Sequence, residues 1–263
     1  MENGLIGASV RRVEDPVLMT GAGLYVDDVQ PDGALHLAFV RSPHPKARIL
    51  SVDTSTASSM PGVRLVLTGA DTGALGVPTP PLVPGMRIPP HPVLAQGSVH
   101  AVGAPVAAVV ADTRAAAEDA AGSIEVEYDP QPSVSDAQDA LAPNAPLVHD
   151  DLDSNVCYAV TREGGDVERA FAEADHVTRL HIASPRLASV ALEPRGVVAI
   201  PEARGQGLTV WVSVQGAHRI RADLAVALGF PEHQIRLIAP DVGGGFGTKG
   251  PLYREYVLAG YVA

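Results

Sequence analysis

Cysteine is nearly absent from this sequence. Cys157 is the only one in 263 residues, so no internal disulfide can form. A zinc or iron–sulfur site built from four cysteines of this chain is likewise excluded. One reduced thiol fits a cytoplasmic protein, and Cys157 reads as a small filler of the core. Cationic charge is scarce as well: 19 Lys and Arg stand against 30 Asp and Glu, a formal net charge of −11. Nucleic acids and anionic membranes are recognised by clustered Lys and Arg, so neither is expected as a partner. No stretch approaches the roughly 18 uninterrupted apolar residues of a membrane span. The opening MENGLIGASVRRVEDP lacks the apolar segment of a secretory signal. The nine histidines show no HExxH or similar spacing, so no metal held directly by protein side chains is expected.

What the sequence does hold is apolar mass and turn residues. Apolar types make up 46% and charged types 19%, the balance of a globular protein with one large domain or two ordinary ones. Ala34–Arg41, Arg48–Val52 and Gly62–Leu67 have strand character. Pro78–Pro92 carries seven prolines, which bars a regular helix or central strand and predicts a surface loop. Val102–Ala111 reads as a buried strand, Thr113 as the cap of a helix through Gly122, and Ser123–Tyr128 as a strand with one wet face. That order predicts a crossover unit on a mixed sheet.

A second unit follows a stretch rich in Pro, Asp and Asn. Asp166 can cap a short helix over Val167–Ala174, and His176–Ile182 alternates as a strand. Arg195–Ile200 and Leu208–Val214 form a predicted strand pair joined by the turn Pro201–Gly207. Ala217–Leu228 is a predicted helix, with Ile220, Leu224 and Leu228 at spacing four and Gly229 as its stop. Gln234–Ala239 is a predicted strand, and Pro251–Ala263 a helix with Pro in its first turn.

Between the last two lies Val242–Gly250, reading VGGGFGTKG. So many glycines leave the backbone N–H groups open to a ligand, and a strand leading in with a helix leading out favours an anionic oxygen group. A Walker loop fails, because Thr248 stands at its second glycine position and Gly250 follows Lys249. Gly245, Gly247 and Gly250 match the dinucleotide pattern GxGxxG, without the second strand and ribose-binding acid that pattern requires. A glycine turn that serves only packing is the third reading, and Phe246 among the glycines asks for more than that.

VGGGFGTK resembles the cofactor loop of the molybdenum hydroxylase large subunits, the family of xanthine dehydrogenase, aldehyde oxidase and aerobic carbon monoxide dehydrogenase. IGASVRRVEDPVLMTGAGLYVDD, FVRSPHPKARILSVDTS and VGAPVAAVVADTRAAAEDAAGSIEVEYDP are similar to successive blocks of its N-terminal part. LEPRGVVAI, LTVWVSVQGAHRIR and GFPEHQIRLIAPDVGGGFGTKG are similar to blocks of its first cofactor domain. The resemblance implies an α+β protein: an extension over 1–19, an α/β hammerhead over 20–130, a connecting arm over 131–165 and, over 166–263, the first part of an incomplete molybdopterin-binding domain.

It implies a molybdenum–molybdopterin cofactor, the cytosine dinucleotide form being one variant, with flavin (FAD) and iron–sulfur clusters on partner subunits only. Gly244, Gly245, Phe246 and Gly247 would line the cofactor, their amides facing an oxygen ligand of the metal. Phe246 would wall the substrate pocket. Gln215 would stand near the cofactor, or be a solvated residue at a helix start. Glu193 would orient a substrate or pair with Arg195, and the pair is the commoner arrangement. Lys249 would reach an anionic cofactor tail or stand solvated, and His218 reads as structural. Ser184–Leu187 holds no glutamine and Gly250 stands where a glutamate marks the xanthine-oxidising members, which argues against purines.

The resemblance also sets an expectation about completeness. Large subunits of the family continue into a second molybdopterin-binding region that carries a glutamate base, and no catalytic residue is identified in this chain. The expected role is the molybdopterin-binding portion of an oxidoreductase, inactive alone. It would act on an aldehyde, an N-heterocycle or carbon monoxide. The expected partners are the C-terminal half as a separate chain and the iron–sulfur and flavin subunits, with homodimerisation of the complex. The competing reading is a non-catalytic relic or assembly module.

Overall fold

The computed structural model describes residues 6–202 and 207–263. In its first half three short helices, α1 (Asp15–Met19), α2 (Ser55–Ser59) and α3 (Gly69–Thr72), accompany six strands. The strands are β1 (His36–Arg41), β2 (Ala47–Asp53), β3 (Val63–Thr68), β4 (Ser98–Val99), β5 (Pro105–Ala111) and β6 (Glu125–Pro130). They form two three-stranded antiparallel sheets, ordered β1-β5-β3 and β4-β2-β6. Every residue of β5 is buried, because both of its faces are covered. Ala107 and Val109 pack on the helix α4 (Arg114–Gly122), with Ala120, Ala121 and Ile124, while Val106 packs with Ala47 and Val99. A continuous apolar run is what such a doubly covered strand requires. Thr113 caps α4 by accepting the Ala116 amide at 3.1 Å.

The expected crossover from 102 to 128 is not formed. β5 already has β1 on one edge and β3 on the other, so β6 finds no free edge there and pairs with β2 in the second sheet.

The segment that follows β6 lies against this unit through polar contacts. Buried Lys46 donates to the Leu147 carbonyl at 2.7 Å and pairs with Asp150 at 2.5 Å. The His100 ring meets the Val148 carbonyl at 2.7 Å. Further on, α5 (Val167–Glu173) is capped by Asp166, which accepts the Arg169 amide at 3.0 Å. The strand expected over His176–Ile182 is absent; these residues are exposed and pair with no neighbour among the described residues. Alternation favours a strand, but a strand also needs a partner for its backbone groups.

The crossover unit occurs in the second half instead. β7 (Val197–Pro201) pairs antiparallel with β8 (Leu208–Val212), and β8 pairs parallel with β9 (Ile235–Ile238) across α6 (Ala217–Leu228). The turn expected between β7 and β8 falls largely on 203–206, outside the described residues. Gly229 ends α6 in the left-handed conformation, at φ +71°. The last helix, α7 (Arg254–Val262), starts later than expected. Tyr253 is extended and serves as its cap, so Pro251 lies ahead of the helix rather than in its first turn. Val210, Val212, Ile220, Leu224, Ile235, Tyr256, Val257 and Leu258 form the core, joined by Leu67, Val93, Leu94 and Ala108 of the first half. The two halves therefore share one core. Among the described residues no helix is long and apolar enough to cross a membrane.

Candidate functional site

The glycine loop leaves β9 through Pro240 and Asp241. Its entrance is fixed to the beginning of the chain. The Leu24 amide donates to the Asp241 carboxylate and the Asp241 amide to the Leu24 carbonyl, both at 2.9 Å.

Past that entrance, a single carboxylate oxygen gathers the loop. Oε2 of Glu193 accepts the Gly243 amide at 2.8 Å, the Ser213 hydroxyl at 2.6 Å and the Lys249 ammonium at 2.6 Å. Lys249 is 1% exposed and Ser213 fully buried. Gly243 is required by this approach: a Cβ there would stand 2.5 Å from the Glu193 Cβ. Burial alone pushes the Glu193 carboxyl up. The bonds from Lys249, Ser213 and Gly243 outweigh it and hold the group below its ordinary value.

Gln215 makes a second clamp. Its amide donates to the Lys249 carbonyl and its side-chain oxygen accepts the Gly247 amide, each at 2.9 Å. Its side chain lies so close to Gly245 that a Cβ there would meet it at 2.6 Å. Between the clamps the chain turns sharply, with φ of +99° at Gly244, +48° at Phe246 and +92° at Gly247. For phenylalanine that conformation costs about 1–3 kcal/mol. The Phe246 ring folds over Gly244, where a Cβ would meet it at 2.8 Å, yet the residue remains 74% exposed. The Phe246 carbonyl accepts the Ser189 hydroxyl at 3.2 Å. The adjacent amides of Gly245 and Phe246 donate to no acceptor among the described residues.

The structure thus brings together Gln215, Gly244, Gly245, Phe246 and Gly247, with Glu193 behind them. Several other expectations are corrected. Glu193 does not pair with Arg195, whose guanidinium stacks 3.6 Å above the Tyr253 ring and lies 4.0 Å from Glu255. Lys249 is neither solvated nor open to a ligand, because the pair with Glu193 buries it. Cys157 is exposed rather than a core filler, its thiol donating to the Arg87 carbonyl at 3.1 Å. His218 lies exposed on α6. Ser213 and Ser189 were not anticipated; partners 20 and 57 residues apart leave no local signal. Among the described residues no three His, Cys, Asp or Glu side chains are grouped to hold a metal ion.

Known families match both halves. Residues 20–132 fit the α/β hammerhead domain of aldehyde oxidase and xanthine dehydrogenase, and residues 148–263 fit the molybdopterin cofactor-binding domain. The chain belongs to the molybdenum hydroxylases. It is 39% identical over 256 residues to the nicotine 6-hydroxylase large subunit of Paenarthrobacter nicotinovorans, covering 97% of this chain and 31% of that protein. It is also 39% identical over 267 residues to the carbon monoxide dehydrogenase large chain of Afipia carboxidovorans, covering 97% and 33%. Quinoline 2-oxidoreductase from Pseudomonas putida 86 superposes with a TM-score of 0.90 at 39% identity, covering 97% of this chain and 33% of that one. The chain therefore spans about a third of the length of these relatives.

The loop fits the family's cofactor. Two adjacent amides are free to donate to an anionic oxygen group, and the space around the Cβ position of Gly247 is open. A ligand here would meet backbone dipoles rather than a free cation, since the charge of Lys249 is matched internally by Glu193.

Proposed function

We propose that this molybdenum hydroxylase chain contributes the hammerhead and one wall of the molybdopterin site to a multi-component oxidoreductase. Its substrate would be a small aldehyde or N-heterocycle, or carbon monoxide. The observation that carries the reading is the pair of unengaged amides at Gly245 and Phe246, held between two clamps. When bound, the molybdenum–pterin cofactor supplies two-electron oxidation of the substrate. The chain's own part is to bind and orient. The two amides donate to an oxygen of the anionic group, where fixed donors act most strongly if water is excluded. Gln215 holds Gly247 in register. The exposed Phe246 ring is the apolar surface on which a planar substrate would rest, while Glu193 acts from behind the loop.

Nicotine and quinoline, in the names of two relatives, support an N-heterocycle as the substrate class. The remaining two thirds of the family's large subunit would supply the general base and the opposite wall. Iron–sulfur and flavin subunits would carry the electrons away, the cytosine dinucleotide would be the cofactor's form, and the whole complex would pair as a dimer. The chain purified by itself should hold little molybdenum, and should gain it on co-expression with the complementing portion. Elemental analysis checks this; no gain in metal on co-expression sinks the reading and favours a non-catalytic role.

A further inference from the structure

We infer that the Glu193–Lys249 pair is a latch that sets the shape of the glycine loop, making both of them positioning residues for the Gly245 and Phe246 amides. The inference rests on the molybdopterin reading only for the identity of the ligand. Its physical basis lies in where the donors come from. Oε2 of Glu193 receives the amide of the loop's first glycine, Gly243, and the side chain of its one lysine, Lys249, at 2.8 Å and 2.6 Å. One atom therefore closes the loop at both ends. Ser213 adds a third donor at 2.6 Å and fixes the carboxylate against the end of β8. The Lys249 backbone is in turn bonded to Gln215, which holds Gly247. A displacement of Lys249 is thus carried through Gln215 to the middle of the loop.

Two features distinguish a latch from a direct role at the ligand. Lys249 is 1% exposed, so its ammonium cannot reach a group lying on the open face where Phe246 stands. The other oxygen of Glu193, Oε1, is buried and has no partner among the described residues, so the carboxylate is not turned toward a solvent-filled pocket. Retaining a buried pair with one oxygen unsatisfied is costly. A precise geometry that two apolar side chains would not specify accounts for keeping it.

The test uses the chain itself, labelled with nitrogen-15. Lys249→Met leaves a buried carboxylate unpaired and risks unfolding, so the main variant is the double substitution Glu193→Gln with Lys249→Met, which removes both charges at similar size. Hydrogen exchange at Gly243 and Gly247 should accelerate at least tenfold, and the heteronuclear NOE at Gly245 and Phe246 should fall, while exchange in α6 and β8 is unchanged. Gly247 is the decisive site, because it bonds Gln215 and not the latch; a merely local contact would leave it unmoved. If the double variant does not fold, Ser213→Ala removes one donor and should produce the same pattern in smaller degree. Wild-type exchange and NOE values at Gly247, Gly245 and Phe246 in a folded variant overturn the inference. Failure of the wild-type chain to gain molybdenum on co-expression sinks the cofactor reading and leaves this result standing. If both hold, the double variant retains at least fivefold less molybdenum in the assembled complex.

Discussion

Acid should loosen the glycine loop, because its anchor is a carboxylate held ionised by its neighbours. Burial raises the Glu193 carboxyl, and the bonds from Lys249, Ser213 and Gly243 lower it further than burial raises it. Glu255 follows the same pattern, raised by burial and lowered more by Arg41, its own backbone bond and Arg195 taken together. A carboxyl depressed in the folded state contributes stability above its unfolded value of about 4.3, and that contribution is lost as pH falls through the folded value. Urea unfolding measured from pH 7 to pH 3 should therefore show falling stability below about pH 4.3, and Glu193→Gln should flatten part of that slope. An unchanged slope in the variant would remove Glu193 from the account. At this scale the sequence revealed half of the candidate site's arrangement. Glycines around a lone phenylalanine mark a loop whose backbone is open to a ligand, and Gln215 follows a recognisable strand. The latch was hidden because Glu193 and Lys249 are 56 residues apart, and neither differs in kind from a solvated surface residue.

Elements whose pattern is local were legible. The spacing of Ile220, Leu224 and Leu228 defines α6, and the structure has that helix over Ala217–Leu228. Thr113 and Asp166 both cap the helices their positions suggest. Thr113→Ala should cost about 1 kcal/mol, in the range of lost N-caps; calorimetry checks this, and a variant as stable as the parent would show that the cap contributes nothing. Elements defined by a distant partner were less legible. The 102–128 stretch has the order of a crossover, yet which sheet receives β6 depends on the edges of β5 being taken by β1 and β3. His176–Ile182 has a strand's alternation without a neighbour to pair with. A sequence shows which faces are apolar, but not which edges remain free.

Over the whole molecule, two halves share a core while one stretch stays outside it. Every residue from 156 to 188 is exposed, including Leu180 at 78% and Leu187 at 87%. Brief digestion of the isolated chain with trypsin should cut first at Arg162, Arg169, Arg179 or Arg186, and leave the β5–α4 region intact, since nicking concentrates where backbone is exposed and poorly bonded. Early cleavage beside α4 instead would contradict this order. The domain order was legible from consecutive sequence blocks, whereas the depth to which Leu67, Val93 and Ala108 enter the second half's core was not.

The reciprocal bonds between Leu24 and Asp241 close a loop of 217 residues. Contacts of such separation form late, after the local units have folded. During synthesis the N-terminal half can condense as soon as it emerges, but the entrance of the glycine loop waits for a residue made more than two hundred positions later. Under the proposed function, cofactor insertion at this wall would belong to the end of folding. A lesion near Leu24, far from the ligand in sequence, would appear as a failure of maturation rather than of chemistry.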